Sequence, residues 1–463
     1  MLDGRVLRVV SKPAVESLSA FLHSPIARHF VDRGDLIDSK IAKEIDATSL
    51  FRQLGENGSG CDDSEAALVL EHPLTEFPSY PHEWPAEMLH AAAQLTLEIG
   101  EAFLGEGIGL KDADPRNILF RGPHPVFVDV LSFEKRDPGD PVWLPYAQFV
   151  RRFLLPLAVN RRFGVPQSLP ALTGDDGLRP QDVYPLLSCA TKFLPPFFTL
   201  VTVPVWLSRM VARKNTSIYR RNRRDGIERS QFVLRSLFGR LCKLTRKLTP
   251  VQAESDWSSY TGSNSYSPED FSAKTSFVER ALDEARPKKV LDIGCNTGYF
   301  SAIAARQGAR VVGIDSDPVV VGQTWHHARK EDLDILPLVV NIANPTPPLG
   351  WCNRESASFL ERSLGVFDVV MMLAVVHHVM VTGQIPLREI AALAAELTKD
   401  LLLIEYVGPE DRLFRSLTLG RDHLYAGLTR EAFESFFLAR FDIMHNLRLG
   451  SSTRSLYVMK KKR

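Results

Sequence analysis

Val290-Leu-Asp292-Ile-Gly294-Cys-Asn296-Thr-Gly298-Tyr-Phe300, followed by Arg310-Val-Val-Gly-Ile-Asp315-Ser-Asp317, decides how this chain is read. An apolar run closes on Asp292. A loop of small residues follows, with Gly294, Asn296 and Gly298, and then the pattern turns helical. A second apolar run closes on Asp315. The order strand, glycine loop, helix, strand, acid is a layout that seats a nucleoside-containing cofactor. Gly294 and Gly298 let the backbone approach a ligand closely. A carboxylate at Asp315 suits a ribose, because it accepts from both hydroxyls at once.

The spacing is not the G-x-G-x-x-G of a dinucleotide site. It is Asp292-x-Gly294-x-Asn296-x-Gly298, which resembles the first motif of class I S-adenosylmethionine (SAM) methyltransferases, with asparagine where glycine is commoner. That resemblance implies SAM as the cofactor, with Asp292 near its ammonium group. Further apolar runs follow at Leu336–Asn341, Phe367–Leu373 and Asp400–Tyr406, with helical patterns between them. A helix near Arg430–Leu438 and strands at Phe441–Leu447 and Ser455–Met459 complete the series. Short continuous apolar runs are what buried parallel strands look like. The expectation is an α/β sheet with its ligand crevice at the carboxyl ends of the strands. The last two strands fit the antiparallel hairpin that the methyltransferase fold adds. In that family an acid often follows the third strand and accepts from the adenine amino group; Asn341 stands there, and its amide oxygen also accepts.

Methyl transfer to a hydroxyl needs a held acceptor and a group that takes its proton. His377 and His378 follow the fourth strand and Glu405 ends the fifth, so these three are the catalytic candidates, with a histidine as base. Holding the loop by hydrogen bonds is the other reading of the histidines. Arg421, Asp422 and Arg454 are secondary candidates for contacting the acceptor. Ahead of the motif, Ser267-Pro-Glu-Asp270 reads as a helix start. Trp257, Tyr260 and Tyr266 could form an aromatic lid there and Lys274 could reach the SAM carboxylate; ordinary packing of that helix on the sheet is the alternative.

Residues 1–165 carry a separate signal. Gly109-Leu-Lys-Asp112-Ala-Asp114-Pro-Arg-Asn117-Ile-Leu-Phe120 precedes Val126-Phe-Val-Asp129. An Asp, an Asn five residues on, and an apolar strand ending in Asp resemble the catalytic loop and metal-binding Asp of protein-kinase-like and aminoglycoside-phosphotransferase-like folds. The resemblance implies Asp112 as base and Asn117 and Asp129 as magnesium ligands. Leu110-Lys111 stand where His-Arg or His-Gly would be, Val130-Leu131 replace Phe-Gly, and no glycine-rich loop covers a phosphate. Lys12, Lys40 and Lys43 are the candidates for a phosphate-pairing lysine. A degenerate kinase-like α+β domain is therefore expected; turn chemistry by Asp, Pro and Asn is the other reading.

The whole arrangement resembles a bacterial family of class I methyltransferases with a kinase-like N-terminal region, a nodulation-related group. It does so through Ser79-Tyr-Pro-His-Glu-Trp84, Leu110–Asn117, Val126–Glu134, Trp143–Leu157, Leu291–Gly298, Val375–His378 and Leu403–Asp411. The nodulation connection points to a small-molecule or saccharide acceptor. A bifunctional kinase–methyltransferase and a SAM-binding scaffold are the competing functions.

At 463 residues the chain exceeds one ordinary core. The expected division is 1–165 kinase-like, 166–250 a helical and basic linker, and 251–463 methyltransferase. A net charge of +1 gives no global field toward polyanions. Five scattered cysteines without zinc or redox spacing, and no signal-peptide pattern, suggest a reducing cytoplasm. Within 193–247 an apolar stretch broken by Pro195, Pro196 and Pro204 runs into a strongly basic one. It could touch anionic lipid, contact another polyanion, or form a solvated linker face; no specific nucleic-acid partner is expected.

Overall fold

The computed structural model describes residues 5–50, 66–168, 176–211, 226–251, 255, 266–450 and 453–462. The chain divides into two units. One comprises Met1–Pro81, Met88–Phe120 and His124–Pro250, the other His82–Glu87, Arg121–Pro123 and Val251–Arg463. The stretch expected as a linker, 166–250, falls in the first unit.

In the first unit, β1 (Val6–Ser11), β2 (Lys40–Ile41) and β3 (Ala66–His72) form an antiparallel sheet of order β1-β3-β2. Helix α1 (Ala86–Ala102) follows, and then two short pairs: β4 (Ile108–Leu110) with β7 (Phe133–Lys135), and β5 (Ile118–Arg121) with β6 (His124–Phe127). Rings knit this region. Phe133 lies 4.4 Å from Phe21 and 4.7 Å from Phe103 between centroids, a spacing at which aromatic pairs add to simple burial. Helix α2 (Val203–Val211) and the long α3 (Ile227–Lys247) come next. On α3, Leu234, Phe238, Leu241 and Thr245 are buried at three- and four-residue spacing, so one stripe packs and the arginines face outward. His90 of α1 bonds the Thr245 carbonyl at 2.9 Å, fastening the two helices.

The second unit begins with α4 (Pro268–Ala285). Ser267 caps it by accepting from the Asp270 amide at 3.1 Å, with proline in the first turn where no N–H is needed. Then β8 (Lys289–Ile293), α5 (Tyr299–Arg306), β9 (Arg310–Asp315), α6 (Pro318–Glu331) and β10 (Ile335–Val339) alternate. Next come β11 (Phe367–Met372), α7 (Val376–Val381), α8 (Leu387–Leu397) and β12 (Thr398–Val407), followed by α9 (Arg412–Thr418), α10 (Arg430–Leu438), β13 (Phe441–Arg448) and β14 (Arg454–Lys461). The seven strands lie in the order β10-β9-β8-β11-β12-β14-β13, and β14 runs antiparallel to both of its neighbours. Val290, Leu291, Val370, Met371, Leu402 and Ile404 are all but fully buried, which is why these strands read as unbroken apolar runs. Strand order reverses between β8 and β11, and a crevice opens at the carboxyl ends at such a switch point.

Candidate active site

The loop after β8 has a left-handed backbone at three places. Gly294, Asn296 and Gly298 have φ of 75°, 50° and 79°. Asparagine tolerates that region, so Asn296 replaces glycine at little cost. The Gly294 and Cys295 amides both donate to the Ile314 carbonyl, at 2.8 and 3.0 Å, pinning the loop to β9. The Asn296 amide donates to Asp315 at 3.1 Å, and the Asp317 amide donates to the other Asp315 oxygen at 3.0 Å. Burial raises the Asp315 carboxyl, and these amide bonds oppose the rise.

A cavity of about 480 Å³ opens beside this loop, within the range of roughly 300–1,000 Å³ that suits a small molecule. One wall carries Gly294, Asn296, Asp315 and Asn341. The other carries Ala374, Val375 and His378, with Leu417 of α9 at the rim. A Cβ on Gly294 would sit 2.9 Å from Val375, so the two walls close on the glycine.

Three of the expected cofactor residues have further contacts of their own. Asp292 does not line the cavity. It is 2% exposed and accepts from the Ser301 hydroxyl at 2.6 Å, tying β8 to α5. Gly298 does not line it either; a Cβ there would stand 2.6 Å from Thr324 of α6, so this glycine allows two helices to approach. Asn341 lines the cavity, but its amide oxygen already accepts from the Ala343 amide at 3.0 Å. Its NH₂ group is thus the more available side.

The catalytic candidates separate as well. His378 lines the cavity. Burial, with Arg454 nearby, pushes its imidazole down to about 4, so it is neutral at physiological pH. His377 points away from the lining; it is 2% exposed, its ring lies 6.0 Å from Phe414, and neither nitrogen has a hydrogen-bond partner. Glu405 is fully buried in an ion network. It accepts from Lys274 at 2.7 Å and Tyr266 at 2.5 Å, with Arg454 at 3.4 Å. Arg454 also donates to Asp411 at 2.9 Å and to the Tyr266 hydroxyl at 2.5 Å. Burial pushes Glu405 upward, but Lys274 and Arg454 outweigh it and hold the carboxyl below its usual range. Two cations and two carboxylates neutralise one another, so Glu405, Asp411, Arg454 and Lys274 stand in one buried ion network. Tyr266 joins the network, while Trp257 and Tyr260 lie outside the described residues. Of the secondary candidates, Asp422 accepts from Thr418 at 2.6 Å, and Arg421 is exposed.

In the first unit the structure does bring Asp112, Asn117 and Asp129 together. Asn117 donates to Asp112 at 2.6 Å and to Ser132 at 3.1 Å, and Ser132 donates to Asp129 at 2.7 Å. The remaining Asp129 oxygen takes the Arg8 guanidinium in an ion pair and the Leu131 amide. Arg8 stands outside the sequence expectation, in which the phosphate-pairing residue is a lysine. Among the described residues no cluster of three or more His, Cys, Asp or Glu could hold a metal. Magnesium wants several free oxygens, and both oxygens of Asp129 already accept, one from Arg8 and the Leu131 amide and the other from Ser132, so Asp129 as arranged does not fit the ion.

A family model described as "Methyltransferase domain" matches residues 266–437. Nodulation protein NoeA of Rhizobium meliloti (strain 1021) is 30% identical over 99% of this chain and 93% of its own length. Ubiquinone biosynthesis O-methyltransferase of Pasteurella multocida (strain Pm70) is 30% identical over 23% of this chain and 42% of its own. The solved N-methyltransferase NodS from Bradyrhizobium japonicum WM9 aligns with 42% of this chain and 98% of its own, at 14% identity and a TM-score of 0.32. With NoeA matched almost end to end and the methyltransferase model falling on the seven-stranded unit, the chain belongs to the NoeA family and is a class I SAM-dependent methyltransferase.

Proposed function

We propose that the cavity beside the glycine loop holds SAM and that the protein methylates an oxygen or nitrogen of a small-molecule or glycan-type acceptor. The observation that carries this is one cavity lined by Gly294, Asp315 and Asn341 on one side and His378 on the other. When bound, SAM supplies an electrophilic methyl group on a sulfonium. Asp315 accepts from the ribose hydroxyls while the Asn296 and Asp317 amides hold its two oxygens in place. Gly294 leaves room for the ligand against Val375. The Asn341 NH₂ donates toward the adenine ring. His378, neutral and beside the Ala374–Val375 turn, orients the acceptor and takes its proton as transfer makes that proton acidic. Asp292, Gly298 and Glu405 serve by fixing the loop, the helices and α4, without touching a ligand.

The first test is calorimetric titration with SAM and S-adenosylhomocysteine, followed by transfer assays on saccharide and small amine or phenol acceptors. Binding and turnover together are expected. Binding without turnover on any acceptor, with His378→Gln indistinguishable from wild type, would favour a SAM-binding scaffold.

A second reading rests on the Asp112–Asn117–Ser132–Asp129 chain of bonds. It supports a kinase-like origin for the first unit, now serving acceptor binding. Arg8 sitting on Asp129 argues against present phosphotransfer. ATP hydrolysis or transfer that requires Asp112 and Asp129 would instead make the protein bifunctional.

A further inference from the structure

In the first unit, side chains that a folded core would normally bury stand in water. Phe193 is 60% exposed, Leu194 55%, Trp206 41%, Leu207 53% and Met210 66%. They form one patch. The Phe193 ring lies 6.1 Å from Trp206, and Phe198 joins the pair at 6.3 and 6.4 Å. On α2, Trp206 and Leu207 precede Met210 by four and three residues, so all three share a helix face. The other side of this segment is anchored: Phe197, Leu200, Val201 and Val205 are 0–3% exposed. A rigid base therefore holds the apolar side chains outward.

The rim is cationic. Lys192 sits 4.2 Å and Arg209 5.5 Å from the centre of the Tyr184 ring, whose hydroxyl accepts from the Trp206 indole at 3.4 Å. Between Asp182 and Asp225 the sequence has no acidic residue, while lysine or arginine stands at 192, 209, 213, 214, 220, 221, 223 and 224. Positions 213–224 lie outside the described residues and enter only as charge. Among the described residues no helix is long and apolar enough to cross a membrane. An exposed apolar patch of this kind marks a binding surface. Tryptophan and phenylalanine set among cations match the boundary between lipid headgroups and acyl chains.

We infer that this patch inserts into the surface layer of an anionic lipid bilayer, with Phe193, Leu194, Trp206, Leu207 and Met210 entering the acyl boundary and Lys192 and Arg209 meeting lipid phosphates. The cations at its rim then draw the protein to the membrane, and the apolar wedge retains it. Neither part alone gives firm attachment.

The test uses the full chain and sonicated vesicles of phosphatidylcholine alone or with roughly 30% phosphatidylglycerol, at about 50 and about 300 mM salt. Co-sedimentation is expected only with the anionic vesicles, falling with salt. Brominated acyl chains should quench part of the tryptophan emission, and Trp206→Phe should abolish that part. Leu207→Glu with Met210→Glu should weaken binding at least about tenfold, with an unchanged circular dichroism melt because both positions face water. Lys192→Ala with Arg209→Ala should weaken binding at low salt while leaving quenching of the bound protein intact. Absence of binding to anionic vesicles at low salt overturns the inference, as does binding that the paired glutamates leave unchanged. A dimer in light scattering that the same glutamates dissolve would assign the patch to a second copy. Equal affinity for a single-stranded oligonucleotide, unaffected by the glutamates, would reduce it to general polyanion attraction.

Discussion

At the scale of single residues, the division between ligand contact and hidden support yields separable outcomes. Asp315→Ala should weaken S-adenosylhomocysteine binding at least about tenfold, from losing charge-assisted bonds of about 1.5–3 kcal/mol, read by calorimetry. Asp292→Asn should leave affinity near wild type and change stability instead. Burial pushes Asp292 up to about 6, above its unfolded value near 4. The folded chain keeps a proton there that the unfolded chain has released, so this group's contribution falls as pH rises from about 4 to about 6. Denaturant unfolding of Asp292→Asn across that window should lack this decline, while the amide oxygen still accepts from Ser301. His378 titrates near 4, so its loss as a base should appear as an acid limb of the rate near that pH and not near 6.5. His378→Gln should cost turnover about 10²- to 10⁴-fold with cofactor affinity little changed, measured by single-turnover kinetics and titration. Gly294, Asn296 and Asp315, which line one cavity, stand out in the sequence because backbone conformation and charge are written locally. The sequence could not separate Gly298 from them, since the Thr324 methyl that forbids a Cβ there belongs to another helix. The pairing of Asp292 is hidden for the same reason: its partner Ser301 lies a helical turn beyond the loop.

At the scale of elements, the ion network is what joins α4, β12, β14 and the turn before α9. Tyr266 and Lys274 come from the approach to α4 and from α4 itself, Glu405 from β12, Asp411 from the cap of α9, and Arg454 from the first position of β14. Glu405→Gln leaves two buried cations facing one carboxylate, so it should destabilise by about 3–5 kcal/mol, far more than a surface pair would. Chemical denaturation gives this value directly. Because Glu405 is held below its unfolded value, its contribution is present above about 4.3 and disappears as pH falls through the folded value. An acid titration of native stability should therefore be shallower in the variant. The elements themselves were readable in the sequence: every core strand is a short apolar run, and Ser267 announces α4 by its capping chemistry. The network was not, since no periodicity links residues from four separate elements, and Glu405 and Arg454 looked like free catalytic or binding groups until their partners were in place. Arg8 escaped by a different route. It pairs with Asp129, and an arginine in a short edge-region strand carries no distinguishing pattern.

At the scale of the whole molecule, ligand binding should register in one unit. Saturation with S-adenosylhomocysteine at about a hundred times its dissociation constant adds about 2.7 kcal/mol to the state that binds it. Hydrogen exchange should slow at 293–296, 315–316, 340–343 and 373–383, the segments that line the cavity, while the β1-β3-β2 sheet keeps its rates. The α/β methyltransferase sheet of the C-terminal region was legible because apolar periodicity changes along the chain. The placement of 166–250 was not, as the packed stripe of α3 looks the same in sequence whether it covers a neighbour or stands in a linker. The position of β14 has a further bearing on how the protein is made. This strand is the last of the sheet to leave the ribosome, yet it lies inside the sheet, between β12 and β13. Until it emerges, β12 presents an unpaired apolar border, β13 has nowhere to dock, and Lys274 and Glu405 wait for the guanidinium that completes their set. Nascent chains stalled before residue 454 should consequently need chaperone cover and be prone to clumping, whereas release of the finished strand closes the border in a single late step.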